Sequence, residues 1–214
     1  RTESQHIFID MGLKASPAAT PRVLEIGFGT GLNAWLTLEE AERSRRNIHY
    51  IGLELYPLDW QTVEQLGYIS SDEQLTIHRK QTTTDEQFTP NEEKQQSAIE
   101  LFKQLHTSPW EKDVQLTPHF TLRKIETDVN KWRVENSPFN LVYFDAFAPE
   151  KQPEMWSQEL FNRLYVLLDR DGILTTYCAK GVVRRMLQTA GFTVERLPGP
   201  PGGKREILRA RKQE

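Results

Sequence analysis

The chain has 214 residues, with 27 Lys and Arg against 30 Asp and Glu, and its net charge is −3. This balance excludes a strongly basic nucleic-acid binder of the histone type, while it allows a local basic patch. The single cysteine, Cys178, excludes an internal disulfide framework, and no apolar run of about 18 residues is present to form a transmembrane helix. We therefore expect one cytoplasmic domain over residues 1–214, with no membrane contact.

Short apolar segments alternate with helical patterns along most of the chain. The predicted core strands are 22–26, 48–54, 120–125, 140–145 and 173–178. Two more strands, 193–197 and 206–209, flank a Pro/Gly turn and are predicted to pair antiparallel at the sheet edge. Strands that alternate with helices are typical of a parallel sheet covered on both faces. We therefore predict an α/β fold with a mostly parallel, seven-stranded sheet and a terminal antiparallel strand.

Two helices and a turn are predicted around the fifth strand. The helix before it has apolar residues at four-residue spacing: Trp156, Leu160, Leu164 and Leu168. Pro153 is predicted to lie near the first turn of this helix, and the Asp-Gly pair 171–172 is predicted to form the turn that precedes the strand. A second helix over 182–190 follows the strand, and Gly191 stands where a C-terminal cap belongs.

About sixty residues separate the second strand from the third, where a single helix would be enough. Residues 73–96 are polar, and we expect a mobile loop there. Within them, Thr89-Pro90-Asn91-Glu92 fits a capping box for a helix with one apolar face. Residues 58–118 are therefore predicted to be a helical and loop insertion within the domain.

A ligand site is predicted where the first two strands end. In Gly27-Phe28-Gly29-Thr30-Gly31, glycines allow the backbone to approach a ligand and direct N–H groups toward it. The spacing differs from the dinucleotide-binding pattern, and a tight turn without a ligand is the alternative. Glu54 ends the second strand, where a carboxylate can accept both ribose hydroxyls of a nucleoside. The alternative for Glu54 is an exposed loop acid.

Two more acidic residues follow the third and fourth strands. Asp128 is expected to face the adenine end of the same ligand, and its alternative role is the N-cap of a short helix. Asp145 ends a hydrophobic strand, where an unpaired buried carboxylate is costly. We therefore predict that Asp145 meets the reacting atom, with a satisfied turn carboxylate as the alternative.

The remaining polar residues bear on three kinds of site: a metal site, a hydrolase site and a surface for polyanions. The five histidines have no ligand-like spacing to each other or to Cys178, so no metal site is expected, and no Gly-x-Ser-x-Gly motif supports a hydrolase. Basic residues cluster at 43–46, 180–185 and 204–212. The last two clusters are predicted to lie near the site and to suit a polyanion, unless they are only solvated faces.

The Gly-rich turn, with acids ending the second and fourth strands, resembles class I S-adenosylmethionine-dependent methyltransferases. Asp145-Ala146-Phe147-Ala148-Pro149 is the most specific segment, and it is similar to the Asp-Gly-Phe-Ala-Pro of one subfamily. The other matching segments are 3–6, 27–33, 151–156, 183–192 and 203–206. Together they resemble the methyltransferase domain of the MnmC family of tRNA-modifying proteins, in a stand-alone form that lacks the FAD domain. The resemblance covers most of the chain outside about 73–118.

This resemblance implies a Rossmann-like fold, S-adenosylmethionine as cofactor, and N-methylation of the aminomethyl group of 5-aminomethyl-(2-thio)uridine at the tRNA wobble position. The implied cofactor-binding residues are Glu25, Gly27, Phe28, Gly29, Gly31, Asn33, Glu54, Asp128 and Asp145. Asp145 is the implied catalytic residue: it holds the amine and helps to take up its proton. The expected partners are tRNA and a separate enzyme that supplies the amine, and we expect a monomer without metal.

The substrate is expected to meet two sets of residues. Phe147, Pro149 and Trp156 wall the site and stack on a flipped-out base, while phosphates meet Lys180, Arg184, Lys204 and Arg205. The chain departs from the family pattern at Ala146, at 178–180 and in its polar insertion, which leaves the identity of the amine open. The alternatives are an aminopropyltransferase or a small-molecule amine methyltransferase of the same fold, and a non-catalytic tRNA-binding module.

Overall fold

The molecule is organised around an eight-stranded sheet. The computed structural model describes residues 1–78, 93–133 and 138–213. Its strands are β1 (Arg22–Ile26), β2 (Ile48–Glu54), β3 (Gln74–His78), β4 (Glu93–Ser97), β5 (Asp113–Thr117), β6 (Phe120–Glu126), β7 (Phe139–Phe144), β8 (Leu168–Thr176), β9 (Thr193–Pro198) and β10 (Glu206–Arg211). The order in the main sheet is β5-β6-β2-β1-β7-β8-β10-β9. The five central strands, from β6 to β8, are parallel, and β5, β10 and β9 pair antiparallel with their neighbours.

Helices cover both faces of this sheet. They are α1 (Thr2–Ser4), α2 (Leu32–Ser44), α3 (Trp60–Glu64), α4 (Ala98–Thr107), α5 (Gln158–Leu167) and α6 (Gly181–Ala190), with a π-helical turn at Gln5–Asp10. None of the helices in the described ranges has the length and hydrophobicity needed to cross a bilayer.

Alternate residues of the central strands belong to two separate hydrophobic cores. In β1, Val23 packs in the cluster that contains Trp35 of α2, and Leu24 packs in the cluster that contains Phe161 of α5. Because successive side chains of a strand point to opposite faces, a strand buried on both faces is an apolar run without alternation. The predicted α/β fold and the terminal antiparallel pair β9–β10 are confirmed.

The predicted number of strands is wrong by one. The eighth strand is β5, which lies within the segment assigned to the insertion and pairs antiparallel with β6. It was missed because Asp113–Thr117 is an edge strand whose alternate residues are exposed, so it has no apolar run.

The boundaries around β8 differ from those predicted. The helix α5 begins at Gln158 with Ser157 as its N-cap, Pro153 lies in a separate 3-10 turn, and Leu168 already belongs to β8. The predicted turn 171–172 lies inside β8, where the pairing with β7 shifts register and Asp171 has a φ of 60°. The Asp-Gly pair therefore forms an irregularity within a strand, and not its beginning. The prediction for α6 and its cap at Gly191, with a φ of 114°, is confirmed.

The insertion is only partly as predicted. β3 and β4 form an antiparallel pair of their own, so the expectation of a loop over 73–96 is wrong for 74–78 and 93–96. The proposed capping box at 89–92 lies outside the described residues, and α4 begins at Ala98. Phe102 of α4 packs against Trp35 of α2 with ring centroids 5.7 Å apart, so this helix shares a core with the main sheet.

The cap of α5 provides a test of the local structure. Ser157 Oγ accepts the N–H of Leu160 at 3.1 Å. We expect Ser157→Ala to lower the free energy of unfolding by about 1 kcal/mol, because the amide of Leu160 loses its acceptor. Ser157→Asp supplies another acceptor and should unfold with nearly the same free energy as the parent. Denaturant titration with circular dichroism measures both values. An alanine variant as stable as the parent would contradict the cap.

Candidate functional site

The Gly-rich turn joins β1 to α2 at the carboxyl edge of the sheet. Gly27, Gly29 and Gly31 have φ angles of 88°, 50° and 71°, which side-chain-bearing residues rarely adopt. A Cβ atom at Gly27 would lie 3.2 Å from the carbonyl oxygen of Asp145, so the turn packs closely against the end of β7. Glycine is therefore needed here both for backbone conformation and for space.

Glu54, at the end of β2, is bonded to this turn. One carboxylate oxygen accepts the N–H of Gly29 at 2.8 Å, and the other accepts the N–H of Tyr56 at 2.9 Å. Each oxygen keeps a second lone pair, so Glu54 can still accept hydroxyl groups from a ligand.

A cavity of about 630 Å³ opens beside the turn, and we call it the acidic cavity because Glu54, Asp128 and Asp145 line it. The other predicted site residues along its wall are Gly27, Phe28, Gly29, Asn33 and Phe147. Residues that the sequence did not single out complete it, including Ser4, Tyr68, Met155 and Tyr177. A volume of this size suits a small-molecule ligand or cofactor.

A buried polar bridge lies at the inner end of the acidic cavity. The amide nitrogen of Asn33 donates to Glu25 and to Asp145, each at 2.8 Å, and the hydroxyl of Tyr50 donates to Glu25 at 2.7 Å. Because both amide hydrogens are engaged by carboxyl groups, the orientation of the Asn33 amide is defined. Its oxygen is buried and has no donor among the described residues.

Burial controls the protonation of the two acids at this bridge. It raises the pKa of Asp145 to about 6, against the opposing effect of the hydrogen bond from Asn33. It also raises the pKa of Glu25 well above its ordinary range, and the hydrogen bond from Tyr50 opposes this. Asp145 therefore titrates close to neutral pH, as is typical of a group that exchanges protons with a ligand.

Two predicted cofactor contacts are corrected by the geometry. Glu25 is 0% exposed and does not line the acidic cavity, but it accepts a hydrogen bond from Asn33, which does. Gly31 is the N-cap residue of α2 and likewise lies outside the lining. Sequence position alone could not separate residues that line the cavity from those that support it.

Asp128 lies at the acidic cavity, and the short helix for which it was the alternative N-cap is a turn over 129–131 in the structure. Its side chain lines the acidic cavity, and one carboxylate oxygen accepts the N–H of Asn130 at 2.9 Å. This hydrogen bond stabilises a turn after β6, and the second oxygen can meet a ligand.

A second cavity of about 640 Å³ adjoins the first, and Ala148 and Tyr177 line both. Its charged lining residues are Lys180, Arg196, Lys204, Arg205, Glu150 and Glu206. We call it the cationic cavity, because four basic side chains face two acids. Pro149, Lys180, Lys204 and Arg205 are predicted substrate contacts that the structure brings together here. Arg184 lies on α6 and does not line it, while Arg196 of β9 was not predicted.

The predicted aromatic wall is only half present. Phe147 is 73% exposed at the acidic cavity, whereas Trp156 is 6% exposed and packs on Phe144 with centroids 4.9 Å apart. The indole N–H of Trp156 donates to the carbonyl of Phe147 at 2.7 Å. This corrects the prediction that Trp156 stacks on a base: it supports the backbone of Phe147 from within the core.

The part of the chain that the structure describes contains no group of three or more His, Cys, Asp or Glu side chains placed to hold a metal ion.

The chain is similar in sequence to a family of methyltransferases and to tRNA-modifying proteins. Residues 89–213 match the profile of a family described as S-adenosyl-L-methionine-dependent methyltransferase. The chain is 29% identical to the tRNA 5-methylaminomethyl-2-thiouridine biosynthesis bifunctional protein MnmC of Marinomonas sp., over 96% of the chain and 29% of that protein. It is 31% identical to the protein of that name from Magnetococcus marinus, over 97% and 29%. The chain thus spans about 30% of the length of these relatives.

Solved structures show the same fold. The structure of MNMC2 from Aquifex aeolicus has a TM-score of 0.64 at 21% identity, and it covers 97% of this chain and 59% of its own. The N-methyltransferase NodS from Bradyrhizobium japonicum has a TM-score of 0.52 at 13% identity, over 96% and 92%. These comparisons confirm the resemblance that the sequence motifs indicated.

Substitution of Asn33 tests the buried bridge. In Asn33→Leu, the Asp145 carboxylate loses a hydrogen bond that favours its charged form, so its pKa should rise above about 6. A carbon-13 NMR titration of the Asp145 carboxyl group measures this change. The control Thr37→Val removes a buried hydroxyl from the same helix, one that bonds the carbonyl of Asn33, and should leave that pKa unchanged. An unchanged or lower pKa in Asn33→Leu would refute the bridge.

Proposed function

The chain belongs to the S-adenosyl-L-methionine-dependent methyltransferase family, and from that premise we propose that it methylates the aminomethyl nitrogen of 5-aminomethyl-(2-thio)uridine at the tRNA wobble position. The observation that carries this proposal is the contact between the two cavities: the acid Asp145 lies in one, and four cations line the other. The names of the MnmC relatives refer to the biosynthesis of tRNA 5-methylaminomethyl-2-thiouridine, which supports this choice of substrate.

The acidic cavity has the donors and acceptors that the family's cofactor requires. The Asn33 amide oxygen is a buried acceptor without a donor among the described residues, and it suits the amino group of the cofactor's amino-acid end. Glu54 has lone pairs for the ribose hydroxyls, and Asp128 has an oxygen for the adenine side. When bound, S-adenosylmethionine supplies a methyl group that is already activated for transfer.

Asp145 is the residue that we assign to the acceptor amine. An alkylamine is mostly protonated at neutral pH, as lysine is, and a protonated nitrogen has no lone pair for attack. Asn33 bonds one oxygen of Asp145, so the other can accept a hydrogen bond from the amine and take up its proton. With a pKa of about 6, the carboxyl group is mostly ionised at pH 7, so it is in the form that can accept this hydrogen bond and the proton.

The surroundings of Asp145 suit a nucleotide. The exposed ring of Phe147 can stack on a base that has been turned out of the anticodon loop. The cationic cavity begins at Tyr177 and Ala148, so phosphates of the same strand can reach its lysines and arginines.

The central test is methyl transfer from labelled S-adenosylmethionine to total tRNA from a strain that lacks this modification. We expect a new 5-methylaminomethyl group at the wobble uridine by nucleoside mass analysis. Asp145→Asn should lower kcat, measured at saturating cofactor, by a factor on the order of 10²–10⁴. In the parent, kcat should fall as the pH drops below about 6, because Asp145 becomes protonated.

The control for this test is Asp169→Asn, which changes an exposed acid at the start of β8 and should leave the rate unchanged. Near-normal turnover in Asp145→Asn would refute the assigned role. An absence of label in tRNA, with the cofactor still bound, would refute the tRNA substrate and favour a small-molecule amine.

Charge removal tests the cationic cavity. We expect Arg205→Gln and Lys204→Gln each to weaken tRNA binding and to lower the slope of log K against log salt by about 1, because each removes one phosphate contact. Fluorescence titrations at several salt concentrations measure this slope. Arg170→Gln is the matched control, since Arg170 is an exposed residue of β8 that lines neither cavity. Equal slopes in all variants would place the phosphates elsewhere.

A further inference from the structure

A histidine of the insertion contacts the Gly-rich turn without lining the acidic cavity. His106 lies in the last turn of α4, and its Nε2 atom is 2.9 Å from the carbonyl oxygen of Thr30. At the next residue, Gly31, a Cβ atom would lie only 2.8 Å from the same nitrogen. The imidazole therefore occupies the space that the absent side chain of Gly31 leaves.

The protonation state of His106 follows from its surroundings. Burial lowers its pKa to about 4, against the opposing effect of the hydrogen bond with Thr30, and the nearby charge of Lys124 lowers it slightly. The ring is therefore neutral at pH 7. Because a carbonyl oxygen can only accept, Nε2 carries the hydrogen and Nδ1 does not.

Neighbouring groups hold this imidazole in place. It makes edge-on contacts with the rings of Phe102, at 4.9 Å between centroids, and Phe28, at 5.8 Å. The ammonium group of Lys124 donates to the carbonyl of His106 and lies 4.9 Å from the centroid of the Trp110 ring. The histidine is thus fixed by residues of the turn, of α4 and of β6.

The turn that His106 contacts has two anchors. Glu54 accepts the N–H of Gly29 from the side of β2, and His106 donates to the Thr30 carbonyl from the side of α4. Three residues of this turn have positive φ angles, and a chain rich in glycine loses much conformational freedom when it is ordered. Thr30 itself lines the acidic cavity, so an anchor at its carbonyl acts directly on the ligand-facing backbone.

We propose that His106 is a positioning residue for S-adenosylmethionine, which fixes the Gly-rich turn through the carbonyl of Thr30 before the cofactor binds. The insertion between β2 and β6 then contributes to cofactor binding through α4. This proposal depends on the cofactor of the family and is independent of the tRNA substrate.

Cofactor affinity measures the effect of this anchor. In calorimetric titration with S-adenosylmethionine, His106→Leu should raise Kd by roughly tenfold, the contribution of one neutral hydrogen bond. His106→Gln offers an amide N–H in place of Nε2–H and should recover most of the affinity. A leucine variant that binds within twofold of the parent would overturn the proposal.

General destabilisation of α4 is the main alternative, and a matched variant separates it. Leu101→Ala opens a cavity at a fully buried position of the same helix, at a side chain that is not among the nearest neighbours of Gly31. We expect it to lower the melting temperature without raising Kd. If Leu101→Ala and His106→Leu raise Kd equally at equal loss of stability, the role of His106 is only structural and the proposal fails.

Nitrogen-15 NMR of the unmodified protein tests the same contact without any variant. We expect His106 to be neutral at pH 7, with hydrogen on Nε2, and to begin titrating only near pH 4. A hydrogen on Nδ1, or titration near the ordinary histidine pKa, would overturn the proposal. Neither the calorimetric titration nor the NMR measurement uses tRNA, so a failure of the tRNA assay would not affect the role proposed for His106.

Discussion

The arrangement of the site depends on one amide that a buried carboxyl group, Glu25, and a half-buried one, Asp145, share. Glu25 and Asp145 end up on neighbouring strands of a sheet whose interior disfavours charge, and Asn33 supplies a hydrogen to each. Burial desolvates both acids and raises their pKa values, and the hydrogen bonds from Asn33 oppose this rise. The amide thus allows an acid with a pKa of about 6 to be kept at the end of β7.

The Gly-rich turn exists in its tight form because Asn33 must reach that position. Asn33 is the second residue of α2, so the chain has only a few residues in which to leave β1 and begin a helix over the sheet edge. Positive φ angles at three glycines make this possible, and glycine loses more conformational freedom on folding than any other residue. Its order is then supplied by neighbours: Glu54 bonds an amide of the turn and His106 bonds a carbonyl. The hydrogen bonds with Glu54 and His106 therefore order the same turn that lines the acidic cavity.

Residues at the ends of parallel strands were predictable, because the carboxyl ends of such strands meet at one edge of the sheet. Gly27, Glu54 and Asp145 line one cavity for this reason. Supporting residues were less predictable. An acid such as Glu25 looks the same in sequence whether it lines a cavity or lies beneath it. For Trp156, the four-residue spacing with Leu160 and Leu164 indicates a buried face, whereas the family resemblance implies a place at the substrate. The structure agrees with the spacing, since Trp156 is buried.

The other residues whose positions the sequence did not predict depend on contacts between distant segments of the chain. Arg196 lines the cationic cavity because β9 pairs with β10, and the sequence does not show which side chains this pairing brings to the cavity. Arg184 has the same charge, but it lies on α6 and does not line the cavity. His106 is 76 residues from Thr30 along the chain, and a single histidine on a helix has no local pattern that indicates such a contact. Short-range periodicity predicted the elements, while the pairing of distant segments decided which of their side chains meet.

The opposite charges of the two cavities restrict the ligand more than either cavity does alone. An acid next to a bound cofactor suits many amines, and a basic groove suits many polyanions. Tyr177 belongs to both walls, with the Lys204 ammonium group 3.6 Å from its ring centroid and 3.5 Å from Glu3. A ligand that fills both cavities therefore carries both an amine and phosphates. The chain as a whole has a net charge of −3, whereas the lining of the cationic cavity has four basic side chains against two acids, Glu150 and Glu206, which pair with Lys180 and Arg196. The excess of basic side chains there suits a polyanion. A nucleotide with an aminoalkyl base satisfies both conditions, whereas a small free amine would leave the cationic cavity without a function.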